Sequence, residues 1–308
     1  LALATALGLP ASQALAADPG VTATEIKIGN TNPYSGGASA YGTIGKVIGA
    51  YFKKINDEGG INGRKINYIT YDDAYSPPKA VEMVRKLVEQ DQVLLVFNPL
   101  GTPSNTAIQK YMNEQKVPQL FVATGATKWG NPKDYPWTMG WQPTYQAEGH
   151  IYAQYILKNI PNAKVGILLQ NDDYGKDYVK GLKDGLGDAA KKLIIMEQTY
   201  EVTDPTIDSQ IVTLKATGAD VFFDITTPKF VAGVAATRLT SGGCTGRICR
   251  GRIWSVRIRI ERQTEGSASV RFSARPAHLL LPRGASVRIR LRAGIASALQ
   301  GTAPATGA

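Results

Sequence analysis

The strongest constraint on how this chain folds is an alternation that begins near residue 25 and repeats to about residue 228. Each unit is a short β-branched or apolar run, a turn rich in small polar residues, and then a longer helical stretch. Ile26–Asn30 predicts a strand and Ser39–Glu58 a helix, ended by Gly59-Gly60 because glycine accepts the left-handed conformation of a helix end. Ile66–Tyr71 alternates as a strand. Pro77-Pro78 then opens a helix whose Ala80, Val81, Val84, Leu87 and Val88 share one face. Val93–Phe97 is a continuous apolar run, the mark of a strand covered on both sides. Ser104 is placed to cap the next helix, and Leu120–Ala123 follows as a strand. After Trp141 the pattern restarts with a helix at Tyr145–Asn159, a strand at Lys164–Leu169 and a helix at Tyr174–Lys192. The strand Leu193–Thr199, the helix Asp208–Thr217, the strand Asp220–Ile225 and a helix from about Pro228 complete it. Strands and helices alternating in this way predict an α/β fold of two doubly wound parallel-sheet lobes with a cleft between them.

In such sheets ligands gather at the carboxyl ends of the strands. Here those ends are Asn32–Gly37, Asn98–Ser104, Ala123–Thr127, Asn171–Tyr174 and Asp224–Thr227. Their Gly, Ser, Thr and Asn offer hydroxyls and backbone N–H groups at helix N-termini, which suits a carboxylate. Taken singly each segment reads first as turn and cap chemistry; five at equivalent ends argue for a cleft. Enzyme motifs are lacking. Gly37–Gly42 has the gap of a phosphate loop but is followed by Thr43, and Gly45-Lys46 has Ala40 where the first glycine belongs. No G-x-G-x-x-G follows the first strand, and there is no G-x-S-x-G elbow. His150 falls in a predicted helix beside Ile151 and Tyr152, as a packed or surface residue. Asp172, Asp173 and Asp177 read as caps and first-turn charges rather than metal ligands. No catalysis, metal or cofactor is expected.

The formal charge of +10 suggests a polyanionic partner until it is located. Residues 1–237 hold 20 Lys and 2 Arg against 23 Asp and Glu, whereas residues 238–308 hold 13 Arg, no Lys and only Glu261 and Glu265. The body is near neutral, and all the basicity lies in the tail. Past Arg238 the chain also loses Asp, Asn, Tyr and Met, and runs through SVRIRI, SVRFSAR and SVRIRL. Arginine without lysine is what a G+C-rich gene gives when read out of frame, so residues 239–308 are expected to be a frameshifted or disordered tail. Its Cys244 and Cys249 form a lone C-x4-C, weak as a metal or disulfide signal. At the other end, an apolar run and Ala14-Leu15-Ala16 before Ala17-Asp18 read as the remainder of a secretory signal over residues 1–16. An exported protein without membrane insertion is expected.

The blocks IKIGNTNPYSGGASAYG, INDEGGINGRKI, YDDAYSPPKAVEMVRKLVEQD, LGTPSNTAIQKYMNEQKVPQLFVATGAT, GWQPTYQAEGHIYAQYIL and NDDYGKDYVKGL follow in order over residues 23–238. The chain thereby resembles the periplasmic solute-binding proteins of ABC importers, of the leucine/isoleucine/valine type. The resemblance implies a type I periplasmic-binding-protein fold, incomplete at the C-terminus, with a first lobe at 17–142 and a partial second lobe at 143–238. It implies a small carboxylate-bearing ligand (a branched-chain amino acid, an amide or an aromatic acid) and a permease as partner. The family's carboxylate contacts fall here on Gly101, Thr102 and Ser104, and on Ala123, Thr124 and Gly125. The aromatic residue that closes over the ligand falls on Tyr174, and a further contact near Thr227. Phe97 and Trp129 are further candidates for the pocket wall. The family's acidic partner for an ammonium group lies past the point where the pattern ends, so the chain is expected to be defective as a receptor. The competing expectation, from another class, is that the basic tail binds a polyanion or nucleic acid through an arginine-faced strand.

Overall fold

The computed structural model describes residues 19–240, 254–262, 268–276 and 287–290. The expected leader, Cys244, Cys249 and His278 lie outside them. By its internal packing the chain divides into Leu1–Gly242 and Gly243–Ala308.

The first unit opens with β1 (Glu25–Asn32), a 3-10 turn at Ser39–Tyr41 and α1 (Gly42–Asp57). β2 (Lys65–Asp72) leads to α2 (Pro77–Arg85), which continues through a π turn at Lys86–Gln90. β3 (Leu95–Phe97), α3 (Thr102–Glu114), β4 (Gln119–Val122) and β5 (Thr138–Gly140) follow. These strands make one parallel sheet in the order β2-β1-β3-β4-β5. Then come α4 (Tyr145–Asn159), β6 (Val165–Gln170), α5 (Asp173–Leu186), α6 (Ala190–Leu193), β7 (Ile194–Tyr200), α7 (Asp208–Ala216), β8 (Val221–Ile225) and α8 (Pro228–Thr240). Their strands form a second parallel sheet, β7-β6-β8. The expected α/β class with parallel sheets is what the chain adopts.

Burial explains the pattern. Every residue of β6 is buried, as a strand between two partners with helices on both faces must be. Ile156, Ile167, Leu182 and Leu186 pack α4 and α5 onto that sheet. Val84, Leu87, Val96, Ile108 and Met112 do the same for α2 and α3 on the first. Helices α4 and α5 approach closely through glycine: a Cβ on Gly181 would lie 2.1 Å from the Gln146 carbonyl oxygen, and one on Gly149 2.4 Å from that of Tyr178.

Three expectations need correction. Ser104 does not cap α3; the helix starts at Thr102, after Gly101, and buries the Ser104 hydroxyl without a hydrogen-bond partner. The helix predicted to reach Lys192 stops at Leu186, because Gly187 turns with φ 57° before a separate short helix resumes. Strand β3 starts at Leu95 rather than Val93, since Gln92 takes a left-handed φ of 52° and the Val93 N–H closes onto the Leu87 carbonyl.

In the second unit, β9 (Trp254–Arg262), β10 (Ala268–Pro276) and β11 (Val287–Arg290) form an antiparallel sheet in the order β11-β10-β9. The three SVR-containing stretches thus pair with one another. The register sets Arg271 opposite Arg259 on one side and Arg288 on the other.

Candidate functional site

The carboxyl ends of β1, β3 and β4 are fixed by buried amides before any ligand is considered. The Asn30 side chain donates to the carbonyls of Phe97 and Asn98, and Asn98 donates to that of Phe121. Asn105 reaches back from α3 to the carbonyls of Pro99 and Gly101, both at 2.9 Å, and is held by Gln119 at 2.7 Å. This locks the loop in which Gly101 takes φ 98°. A side chain there is barred twice, by the backbone and by the Tyr75 ring 2.6 Å from where its Cβ would be.

Next to Gly101, the hydroxyls of Thr102 and Thr124 meet at 2.6 Å, both buried. Thr124 also accepts the Ala126 N–H and, at 3.4 Å, the Trp129 indole N–H. From the second sheet, Asp172 caps α5 by accepting the N–H groups of Tyr174 and Gly175. Burial raises its carboxyl above the usual range, against the pull of Gln170 and those amides. The Tyr174 ring meets Tyr145 edge-on at 5.1 Å, and its hydroxyl donates to the Thr226 carbonyl at 3.4 Å. The Thr227 N–H donates to the Tyr200 hydroxyl, which bonds Gln170.

These pieces enclose a cavity of about 390 Å³. Gly101, Thr102, Ala123, Tyr174 and Thr227 line it, so the structure brings together five of the eight residues singled out from the sequence. Thr124 and Gly125 stand directly behind that wall, Gly125 with a Cβ position 2.7 Å from the Tyr145 ring. Ser104 is buried in α3 outside it. Neither Phe97 nor Trp129 reaches the lining. Phe97 packs between Phe52 and Phe121, and Trp129 is buried behind Thr124. His150 is exposed on α4.

A family model for the periplasmic binding protein matches residues 25–250, past the Arg238 limit placed from the sequence. The chain belongs to this family. The leucine-specific-binding protein of Salmonella typhimurium is 27% identical over 190 residues, covering 60% of this chain and 50% of that protein. The chain spans about half the length of the curated relatives it matches. Among solved structures, the fatty acid ABC transporter substrate-binding protein from Thermomonospora curvata superposes with a TM-score of 0.62 at 24% identity, covering 73% of this chain and 57% of that one. The branched-chain amino acid transporter substrate-binding protein LivJ from Streptococcus pneumoniae, in complex with isoleucine, does so at 0.55 and 25% identity, covering 65% and 57%.

Within this member of the family, several lining residues escaped the sequence reading: Tyr41, Tyr75, Trp141, Tyr145 and Tyr178. Tyr75 was within reach of the same rule, since it lies in the turn that follows β2, three residues past Asp72. The chain holds it at φ 60° by donating its N–H to Asp73. Tyr145 comes from the first turn of α4 and Tyr178 from the second turn of α5, stacked at 4.6 Å, and only the close α4–α5 crossing places them. Chemically the cavity offers hydroxyls and a helix N-terminus at one wall and tyrosine faces at the others. That suits a small solute with a polar acceptor head and an apolar body.

Proposed function

We propose that this chain is the extracytoplasmic substrate-binding component of an ABC importer, exported by its leader and handing a small carboxylate-bearing solute to a permease. A branched-chain amino acid is the leading solute, with an amide or aromatic acid as the alternatives. The observation that carries this is the cavity: strand ends and helix starts of two parallel sheets converge on one space lined by Thr102, Thr227 and a set of tyrosines. Membership of the family supports it, as do the relatives named for leucine and bound to isoleucine. Residues 17–142 and 143–238 act as the two lobes in this proposal. Its role is binding rather than catalysis. No described helix is long and apolar enough to cross a membrane.

From the sequence alone, the chain is expected not to hold a ligand. Against that expectation, both walls of the cavity come from residues 41–227, ahead of the arginine-rich stretch. The test is calorimetry on the whole chain with L-leucine, L-isoleucine, L-phenylalanine, leucinamide and benzoate. Saturable binding of at least one carboxylate, tighter than leucinamide, supports the proposal. No heat with any of the carboxylates overturns it.

A second proposal, polyanion binding by the tail, is favoured by the row of Arg259, Arg271 and Arg288 across three strands. Retention on heparin that falls log-linearly with salt would support it, while passage unretained at low salt would remove it.

A further inference from the structure

The hydroxyl pair of Thr102 and Thr124 does not stand alone. Tyr145 lines the cavity beside Thr102, with its ring against Gly125, next in the chain to Thr124. Its ring is fixed: it stacks on Tyr178, meets Tyr174 edge-on and packs against Gly125. Its own N–H donates to the Gly125 carbonyl at 2.8 Å. Hydrogen counting then orients the cluster. The Ala126 N–H is a pure donor and gives its proton to Thr124 at 3.3 Å. The Trp129 indole, also a pure donor, gives its own to Thr124. With both lone pairs of Thr124 taken, its one proton goes to Thr102, whose own proton is left for the cavity that Thr102 and Tyr145 both line. Donors fed by further donors are strengthened.

From this we infer that Tyr145 is a ligand-contacting, specificity-determining residue, whose phenol donates to the solute's carboxylate beside Thr102, and that Thr124 acts through them as a positioning residue. Burial raises the Tyr145 phenol, so it remains a donor across neutral pH. A tyrosine that merely filled the space where a carboxylate belongs would have to swing away. Stacking on one side and Gly125 on the other oppose that movement. The inference rests on the receptor proposal and sharpens which groups read the carboxylate.

The test compares the wild-type chain with Tyr145→Phe, Thr124→Val and Thr124→Ser, using L-leucine, benzoate and leucinamide as probes and recording Tm for each. Tyr145→Phe keeps the ring and should bind the carboxylate probe at least tenfold more weakly, the loss of one hydrogen bond to a charged group. Leucinamide binding and Tm should change little. Thr124→Val should weaken the carboxylate probe, and Thr124→Ser should restore it. Unchanged or tighter carboxylate binding in Tyr145→Phe overturns the inference while the receptor proposal stands. A Tyr145→Phe loss shared equally by leucinamide overturns it too. Wild-type protein that binds no carboxylate removes both together.

Discussion

Asp73 stands behind the cavity wall, fully buried, with one carboxylate oxygen accepting the Tyr75 N–H at 2.8 Å. Burial pushes its carboxyl up to about 6 from 3.8, against the pull of that N–H and of Thr31. The folded state therefore keeps a proton that the unfolded chain has released between those two values. The stabilisation is complete below pH 3.8 and is lost as pH rises through about 6. A shift of about two units corresponds to roughly 3 kcal/mol. Asp73→Asn keeps the acceptor for Tyr75 but cannot ionise, so its stability relative to wild type should rise by about that amount between pH 4 and pH 7.5. Urea unfolding of both proteins across that range checks it; a difference independent of pH would show that Asp73 does not titrate where proposed. On the cavity side, Thr102→Ala should weaken the carboxylate probe by about 1.5–3 kcal/mol, since it removes a hydroxyl beside a charged group. Calorimetry showing wild-type affinity would move the carboxylate elsewhere. At this scale the sequence showed the threonines because they follow strands. It did not show their neighbour Tyr145, whose place depends on how α4 crosses α5.

The elements were legible where one physical signal dominated. Runs such as VGILLQ announce a strand between two partners, and Pro77-Pro78 announces a helix start. Strand β5 was not legible, since its three residues, Thr-Met-Gly, have no periodicity and owe their place to pairing with β4. Nor was the break at Gly187, which a single left-handed glycine makes inside an otherwise helical composition. The α4–α5 crossing gives an element-scale prediction. Gly181→Ala places a methyl carbon against the Gln146 backbone and must push the helices apart, costing about 1–3 kcal/mol and displacing Tyr145 and Tyr178. Gly130→Ala has open space and no left-handed φ, so it should be near neutral. Thermal melts that rank the two equally would refute the close crossing. The segment after β4 is also tied to α5. Asp177 accepts the Thr127 N–H at 2.6 Å and the Gln146 side chain at 2.7 Å, while Lys128 pairs with Asp173 at 2.9 Å. The ion pair is half-exposed and should contribute under about 1 kcal/mol, whereas the two charge-assisted bonds of Asp177 should contribute more. Asp177→Ala should therefore reduce carboxylate binding several-fold more than Asp173→Ala, and the reverse order in calorimetry would reject this tie.

For the whole molecule the decisive feature is how its sheets end. Among the described residues, β7 pairs only with β6, so Ile194–Tyr200 carries one side of backbone N–H and C=O groups without a strand partner. That strand is short on charge, reading Ile-Ile-Met-Glu-Gln-Thr-Tyr. Such edges are templates for pairing with another chain. A second route to association is electrostatic, since residues 238–308 concentrate 13 Arg while the body is close to neutral. The two routes respond oppositely to salt. Screening shortens to about 3 Å at 1 M ionic strength, which removes attraction between the arginine-rich stretch and acidic surfaces. Backbone pairing and apolar burial survive it. The chain should self-associate with rising concentration, and sedimentation velocity in 1 M NaCl should show the same growth as in 0.1 M. A monomer at every concentration would mean the edge is covered. Association that disappears in 1 M NaCl would assign it to charge and leave the strand edge without a part in it.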